Sequence, residues 1–345
     1  ASANFTICKA DGNGIDAVSG IGTGGYILKE YEPGVRTSLE RNPNYWRDDR
    51  AHAASIELLT ISDSTARINA LMSDGVDVID EIEFKAVSRL SNVDGIAVEK
   101  TQGPLHYLFS MMSDRSPLDS KDVRLAMKYA CDREALIQQV LSGHGTIGND
   151  QPLGPSYGYN DASLEQRAYD PDRVKHHLKK AGRDSHDIEV SAGAAAFGGA
   201  VDAATVFHET AKPANINIKV IREPADGYWT NVYMNKPVFT NYWGGYTTAS
   251  EMLSTGYVPD AAWNESVFKN DRFVEVLNQA NAELNTDLRR EMMAEMQALV
   301  RDEAGQLIWS FPDNILATNG KLGHNELASD RPLDGRHIIE RWWVA

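Results

Sequence analysis

The 345-residue chain has only two cysteines, Cys8 and Cys131. Two thiols are too few for a disulfide framework, and their wide separation does not suggest a metal knuckle. No apolar run approaches the roughly 20 residues of a membrane-spanning helix. The opening residues, ASANFTICKA, have neither the basic start nor the apolar block of a signal peptide, so either the protein is cytosolic or its leader lies outside this chain. Basic runs are missing too. With 34 Lys and Arg against 49 Asp and Glu, the net charge is -15, which argues against nucleic acid or anionic lipid as a partner. H-E-x-x-H, paired C-x-x-C and G-x-S-x-G are absent, which removes the commonest zinc and serine-nucleophile patterns.

What is present is ordinary globular composition, 42% apolar and 24% charged, in a length that suits about two domains. The stretch GIGTGG at residues 20–25 fits the dinucleotide pattern G-x-G-x-x-G. That pattern works only between a strand and a helix whose N-terminal N–H groups face the phosphates. Here the polar KADGNGIDAVS precedes it and YILKEYEPGVRTSLER follows. In the second segment Val35, Thr37 and Leu39 alternate with polar residues, and Pro33-Gly34 suits the centre of a type II turn. The element is predicted to be a β-hairpin, with the glycines serving backbone conformation at its lead-in.

Further on, a strand at 56–61, a helix capped by Asp63 and ending at Gly75, and a strand at 76–80 predict a βαβ crossover and a parallel sheet. A helix at 84–90 and strands near 96–100 and 105–112 follow. Two helices then flank Asp132, the expected cap of the second, and Cys131 reads as a small buried side chain. Residues 144–161, HGTIGNDQPLGPSYGYND, form a long irregular region, either a functional loop or lid or a plain surface connection. Helix 171–182, strand 188–193, helix 201–212 and strand 217–223 make a second strand-helix-strand unit. A short helix at 228–234 and a third strand at 238–245 come next. Two amphipathic helices follow from the spacing of Phe273, Val276, Leu277, Ala280 and Leu284 and of Leu288, Met292, Met296 and Leu299. Segments 306–319 and 337–345 look like closing strands.

Tyr228, Trp229, Tyr242, Trp243, Tyr246 and Trp263 fall within about forty residues, among Asn241, Gly244, Gly245 and Asn264. Tyr and Trp offer wide apolar contact with a hydrogen-bonding tip, which suits a ligand wall, and the Tyr-Trp-Gly-Gly run closes a strand where open α/β sheets bind ligands. His176 and His177 are neighbours on a basic helix and point apart, so they read as a solvated face and not as joint ligands. Asp74, Asp77 and Asp80 lack the spacing of a calcium loop.

Four separated stretches, GTGGYIL…EPG…LERNPNYW, DSTARINALMSDGVDVID, PLDSKDVRLAMKYACDREALIQQVLSGHG and DLRREMMAEMQALVRDEAGQLIWSF, together resemble the peptide/nickel class of ABC-importer substrate-binding proteins, solute-binding family 5. The resemblance implies a bilobal α/β fold of the periplasmic-binding type II peptide class, with mixed sheets flanked by helices. It implies that the N-terminal part of the first lobe is missing, so that the chain looks like the C-terminal two-thirds of such a protein with a signal sequence upstream. Residues 1–105 and 315–345 would be what remains of the first lobe and 106–314 the second. Implied partners are a peptide or peptide-like solute and a membrane permease, for a monomeric periplasmic protein without cofactor, metal or catalytic residues. Trp243 and Trp229 resemble cleft tryptophans of the family, and Tyr242, Asn241, Tyr246 and the backbone of Gly244 and Gly245 complete the expected ligand site. Oligopeptide-binding members carry an aspartate just after the residue matching Trp243. This chain has Gly244, Gly245 and Tyr246 there, with Glu251 about a helical turn onward. A peptide or amide hydrolase built from residues distant in sequence, and a sensor or chaperone without transport, are the alternative readings.

Overall fold

The computed structural model describes residues 7–10, 12, 14–16 and 19–345. The chain divides into two compact units, 1–101 with 314–345, and 102–313.

The smaller unit begins with a two-residue ladder, β1 (Lys9–Ala10) on β2 (Ile15–Asp16). The predicted hairpin follows as β3 (Tyr26–Glu32) and β4 (Arg36–Arg41), antiparallel. Val35 N–H donates to Glu32 O at 3.1 Å and Gly34 takes φ +73°, the left-handed value that a type II turn needs at that place. β5 (Ser55–Leu59) adds antiparallel to β4. Asp63 caps α1 (Ser64–Met72), accepting from Ala66 N at 2.7 Å, and β6 (Val78–Ile79), α2 (Phe84–Leu90) and β7 (Ala97–Gln102) complete the run.

The expected parallel βαβ crossover here is wrong. β5 belongs to the hairpin's sheet, whereas β6 pairs antiparallel with β13 (Gln306–Thr318), Ala317 opposite Ile79. A strand-helix-strand order gives parallel pairing only when both strands enter one sheet, and pairing with a strand more than 200 residues away leaves no local trace. Ile68, Leu71, Ile79, Val87, Leu90 and Ile315 form this unit's core.

The larger unit is built on a sheet of order β11-β10-β12-β8-β13, with β9 also paired to β13. Its elements are β8 (His106–Met111), α3 (Lys121–Tyr129), α4 (Arg133–Val140), β9 (Gly145–Ile147), α5 (Pro171–Lys180), β10 (His186–Ala192), α6 (Ala200–Ala211), β11 (Ile216–Arg222), α7 (Tyr228–Asn231), β12 (Val238–Trp243), α8 (Ala249–Tyr257), α9 (Asp271–Ala282) and α10 (Thr286–Glu303). β10 runs parallel to β11 and β12, as the second strand-helix-strand unit predicts, while β8 is antiparallel to β12 and β13. Asp132 caps α4 through Ala135 N, and buried Cys131 has its thiol pushed up to about 12 by burial.

Alternation along the strands sends Leu108, Trp243 and Ile308 into a core with α8, α9 and α10. The next residue, Phe109, instead meets Phe207 of α6, ring centroids 5.0 Å apart. Helices thus cover both faces of the central strands, the arrangement that lets a mixed sheet be apolar on both sides.

Three details correct the sequence reading. Residues 144–161 are neither a lid nor a surface strap: Asn149, Asp150, Gln151, Leu153 and Tyr157 are buried. Side chains meet the backbone needs of this irregular segment, Asn149 accepting from Arg167 N at 2.8 Å and Asn160 donating to Leu153 O at 2.6 Å. Leu284 and Leu288, counted among the apolar positions of the two late helices, are exposed, because the chain leaves α9 at Glu283 and restarts under the Asn285 cap. The segment 337–345 begins instead with a helical turn, α12 (Ile338–Arg341), following α11 (Pro332–Arg336). Only its end forms a strand, β15 (Trp343–Val344), on β14 (Leu322–Gly323).

Candidate functional site

The expected ligand residues lie on and around β12, but they do not share a face. Asn241 and Trp243 point to the α8–α10 side and are buried, whereas Tyr242 between them is 42% exposed. Tyr242 meets Trp229, itself 45% exposed, edge to face at 5.8 Å. Trp229 also contacts Tyr228 at 5.5 Å and Tyr233 at 5.6 Å, and Tyr233 reaches Trp263 at 6.2 Å. The result is a part-exposed aromatic wall, Trp229, Tyr233, Tyr242 and Trp263.

The wall's base is fixed. Tyr228 is fully buried, and its hydroxyl donates to Thr240 O at 2.7 Å, with burial pushing its pKa up to about 12. β10 meets β12 only at Ser191 opposite Phe239, so the segment carrying α7 can pack beside the remainder of β12. Gly193 lies against the Tyr228 ring, where a Cβ would clash.

Trp243 and Asn241 have a different task. Both donate to the carboxylate of Glu265, Trp243 Nε1 at 3.0 Å and Asn241 Nδ2 at 2.6 Å. Ser110 Oγ of β8 donates at 3.0 Å, Gln306 Nε2 of β13 at 2.8 Å and the Tyr233 hydroxyl at 3.3 Å. Glu265 is fully buried, and no cation among the described residues pairs with it. Burial pushes its carboxyl up to about 7, against the pull of Trp243, Ser110, Gln306 and Tyr233. Sequence reasoning missed this residue. Its one local signal is an acid set among apolar and small residues in WNESVF, and its partners come from positions 110 to 306.

After Trp243 the chain turns sharply. Gly245 is buried with φ +75°, and a Cβ there would overlap Pro104. Tyr246 N donates to the Tyr157 hydroxyl at 2.8 Å, and its ring lies 6.1 Å from Trp243. Gly245→Ala is expected to cost about 2 kcal/mol or more, combining left-handed strain with overpacking. Denaturant unfolding of the variant measures this, and an unchanged midpoint would contradict the geometry. Glu251, the acid nearest along the chain, sits in the first turn of α8, where its N–H donates to the Thr248 cap.

A second cluster of charged groups lies elsewhere in the larger unit. A groove of about 600 Å³ is lined by Lys121, Tyr129, Arg167, Arg173, His177 and Asp302. Its Lys and Arg side chains are engaged, Arg167 with Asp150 and Asp302, Arg173 with Asp170 and Lys121 with Glu303, and the His177 ring lies in hydrogen-bond contact with Asp122 at 2.7 Å. His177 is therefore a tethered side chain, not part of a solvated face. Asp74 and Asp77 hold the Asn319 amide. Among the described residues no group of three or more His, Cys, Asp or Glu could hold a metal, and no helix is long and apolar enough to cross a membrane.

The aromatic wall stands at the carboxyl end of β12, a strand that runs parallel to β10 as β10 does to β11. The chain belongs to the bacterial extracellular solute-binding proteins, family 5, whose "Middle" model matches residues 8–264. It is 21% identical over 309 residues to the heme-binding protein A of Haemophilus influenzae, covering 82% of this chain and 53% of that protein. With the dipeptide-binding protein of Escherichia coli the identity is 22% over 314 residues, 84% of this chain and 55% of the relative. The chain thus spans little more than half the length of these curated relatives. Among solved structures it shares the fold of the ABC transporter substrate-binding protein CtaP of Listeria monocytogenes, with TM-score 0.81, 17% identity, and 94% of this chain and 67% of that one covered. The DppA protein of Helicobacter pylori, solved with the peptide STSA, matches with TM-score 0.80 at 18% identity, covering 93% and 63%.

Proposed function

We propose that the protein is the extracytoplasmic solute-binding component of an ABC importer, taking up a peptide or peptide-like small solute and passing it unchanged to a membrane permease. The observation that carries this is the part-exposed wall of Trp229, Tyr242 and Trp263, held on a rigid buried frame in a chain of family 5. The larger unit is the lobe that offers this wall. Half-exposed aromatic faces supply area to apolar or planar groups of a solute at little entropic cost. Of the two glycines expected to contribute backbone hydrogen bonds, the half-buried Gly244 is the one left to offer them beside the wall, since Gly245 is buried against Pro104. The relatives' names point the same way: heme, dipeptides and nickel are bound by family members, and the nickel-binding relative is a periplasmic protein. We place this chain in the same compartment, as a monomer.

The hydrolase reading is weaker on a specific ground. Ser110 and Glu265 make a hydroxyl–carboxylate pair with a perturbed acid, but both are fully buried beneath the sheet, where no substrate can reach them. A general base must come within hydrogen-bond reach of the proton it removes.

A thermal-shift screen of the chain against peptides, opines, sugars and nickel chelates tests the reading. A true solute at a hundredfold excess over its Kd adds about 2.7 kcal/mol of stability, a rise of several degrees. No rise with any solute, alongside turnover of one, would overturn it.

A further inference from the structure

Glu265 accepts five hydrogen bonds, and no cation among the described residues pairs with it. Its donors come from three strands and from Tyr233: Ser110 on β8, Asn241 and Trp243 on β12, and Gln306 on β13. Tyr233 is also the hub of the wall. Its ring touches Trp229 at 5.6 Å, Trp263 at 6.2 Å and Phe239 at 5.6 Å. One carboxylate therefore fixes both the buried face of β12, through Trp243, and the centre of the exposed aromatic group, through Tyr233.

We propose that Glu265 is a positioning residue for the aromatic wall, and that gain or loss of one proton on its carboxylate resets Tyr233 and with it Trp229 and Trp263. The reason is donor bookkeeping. An ionised carboxylate only accepts, so all five donors are satisfied together. A protonated one must donate, and the Trp243 indole N–H cannot receive. The Asn241 and Gln306 amides also present N–H groups. Only the hydroxyls of Ser110 and Tyr233 can reverse their roles. Whichever accepts, the set of five cannot persist unchanged, and the Tyr233 bond is the longest of the five.

The surroundings leave this proton to Glu265. Tyr233, and Tyr257 on α8, which donates to Gln306, are both held far toward the neutral phenol by burial and by Glu265 itself. His106 on β8, paired across from Trp243, is pushed down to about 4 by burial and stays neutral. The Glu265 carboxyl, at about 7, titrates between them. The sign follows from linkage. A carboxyl whose folded pKa is raised contributes stability that is fully present below its unfolded value near 4.5 and lost as pH rises through about 7. The wall is set tightest in the ionised form, above that pH.

The bearing of this on transport rests on Trp229 and Tyr242 being the solute wall. The test reads the solute-free protein, so its failure is distinct from a failure to bind solute. The chain is labelled with 5-fluorotryptophan and followed by ¹⁹F NMR from pH 5.5 to 8.5, with Trp229, Trp243 and Trp263 assigned by single Phe substitutions. The three resonances are expected to titrate with a common midpoint near 7. Glu265→Gln should abolish all three titrations. Tyr233→Phe keeps the ring but removes the hydroxyl link, and should abolish them at Trp229 and Trp263 while Trp243, bonded directly to Glu265, still titrates. A purely structural Glu265 would alter thermal stability without this pattern. Absence of titration in the wild type, or wall titration that survives Tyr233→Phe, would overturn the proposal.

Discussion

Asp150→Asn is expected to cost about 3–5 kcal/mol of folding stability, the largest effect of any single polar substitution proposed for this protein. Asp150 is fully buried and binds Arg133 Nη2 at 2.7 Å and Arg167 Nη1 by a short contact. Both guanidinium groups are almost wholly buried. Lys128 lies close by, also fully buried, donating to Arg301 O at 2.7 Å and Ala304 O at 2.8 Å. Removing the one central anion leaves positive charges in a low-dielectric interior with Asp302 as the remaining partner of Arg167. Breaking a buried pair in this way is far more costly than replacing it whole by apolar groups. Burial by itself would raise the Asp150 pKa, but Arg133, Lys128 and Arg167 outweigh it and hold the carboxyl below its ordinary value. Stability from this group is therefore present above the unfolded carboxyl value near 3.8 and lost as pH falls through the lower folded one. Urea unfolding at pH 7 and pH 3 measures both parts. The difference between wild type and Asp150→Asn should be large at pH 7 and smaller at pH 3; equal stability at pH 7 would refute the charge argument.

The second large effect falls on binding and spares the fold. Trp229→Ala is expected to weaken solute binding about 30-fold, roughly 2 kcal/mol, as truncation of an aromatic anchor does. Because Trp229 is 45% exposed and rests edge-on against Tyr228, Tyr233 and Tyr242, its loss removes limited buried area and leaves Tyr228 locked to Thr240. Isothermal titration with a solute found in the thermal screen supplies the measurement. Leu284→Ala, at a side chain 92% exposed, is the control and should leave affinity unchanged. Equal affinity in wild type and Trp229→Ala would remove the aromatic wall from the site.

What could be read from sequence was local. The Pro33-Gly34 turn, the Asp63 and Asp132 caps and the parallel pairing of β10 with β11 depend on neighbours within about thirty residues, and each was legible. The fate of β5 and β6 was not, since a partner strand past residue 300 decides it. The site divides in the same way. The aromatic cluster near β12 was visible as composition, but which of its members face outward depended on strand phase and on where β10 ends. Asn241 and Trp243 turned out to face a buried acid. Asp150 and Glu265 were invisible as centres because one carboxylate in a loop has no signature until its donors converge. Residues 144–161 misled for a related reason: Gly, Pro and Asn mark irregular backbone, and only the side chains that satisfy it show that the segment lies inside.

Native mass spectrometry of the purified chain mixed with a solute from the thermal screen tests the solute-carrier reading most directly. A one-to-one complex that releases the solute at its original mass after hours of incubation is the predicted result. Steady conversion of that solute to a product of different mass would contradict it.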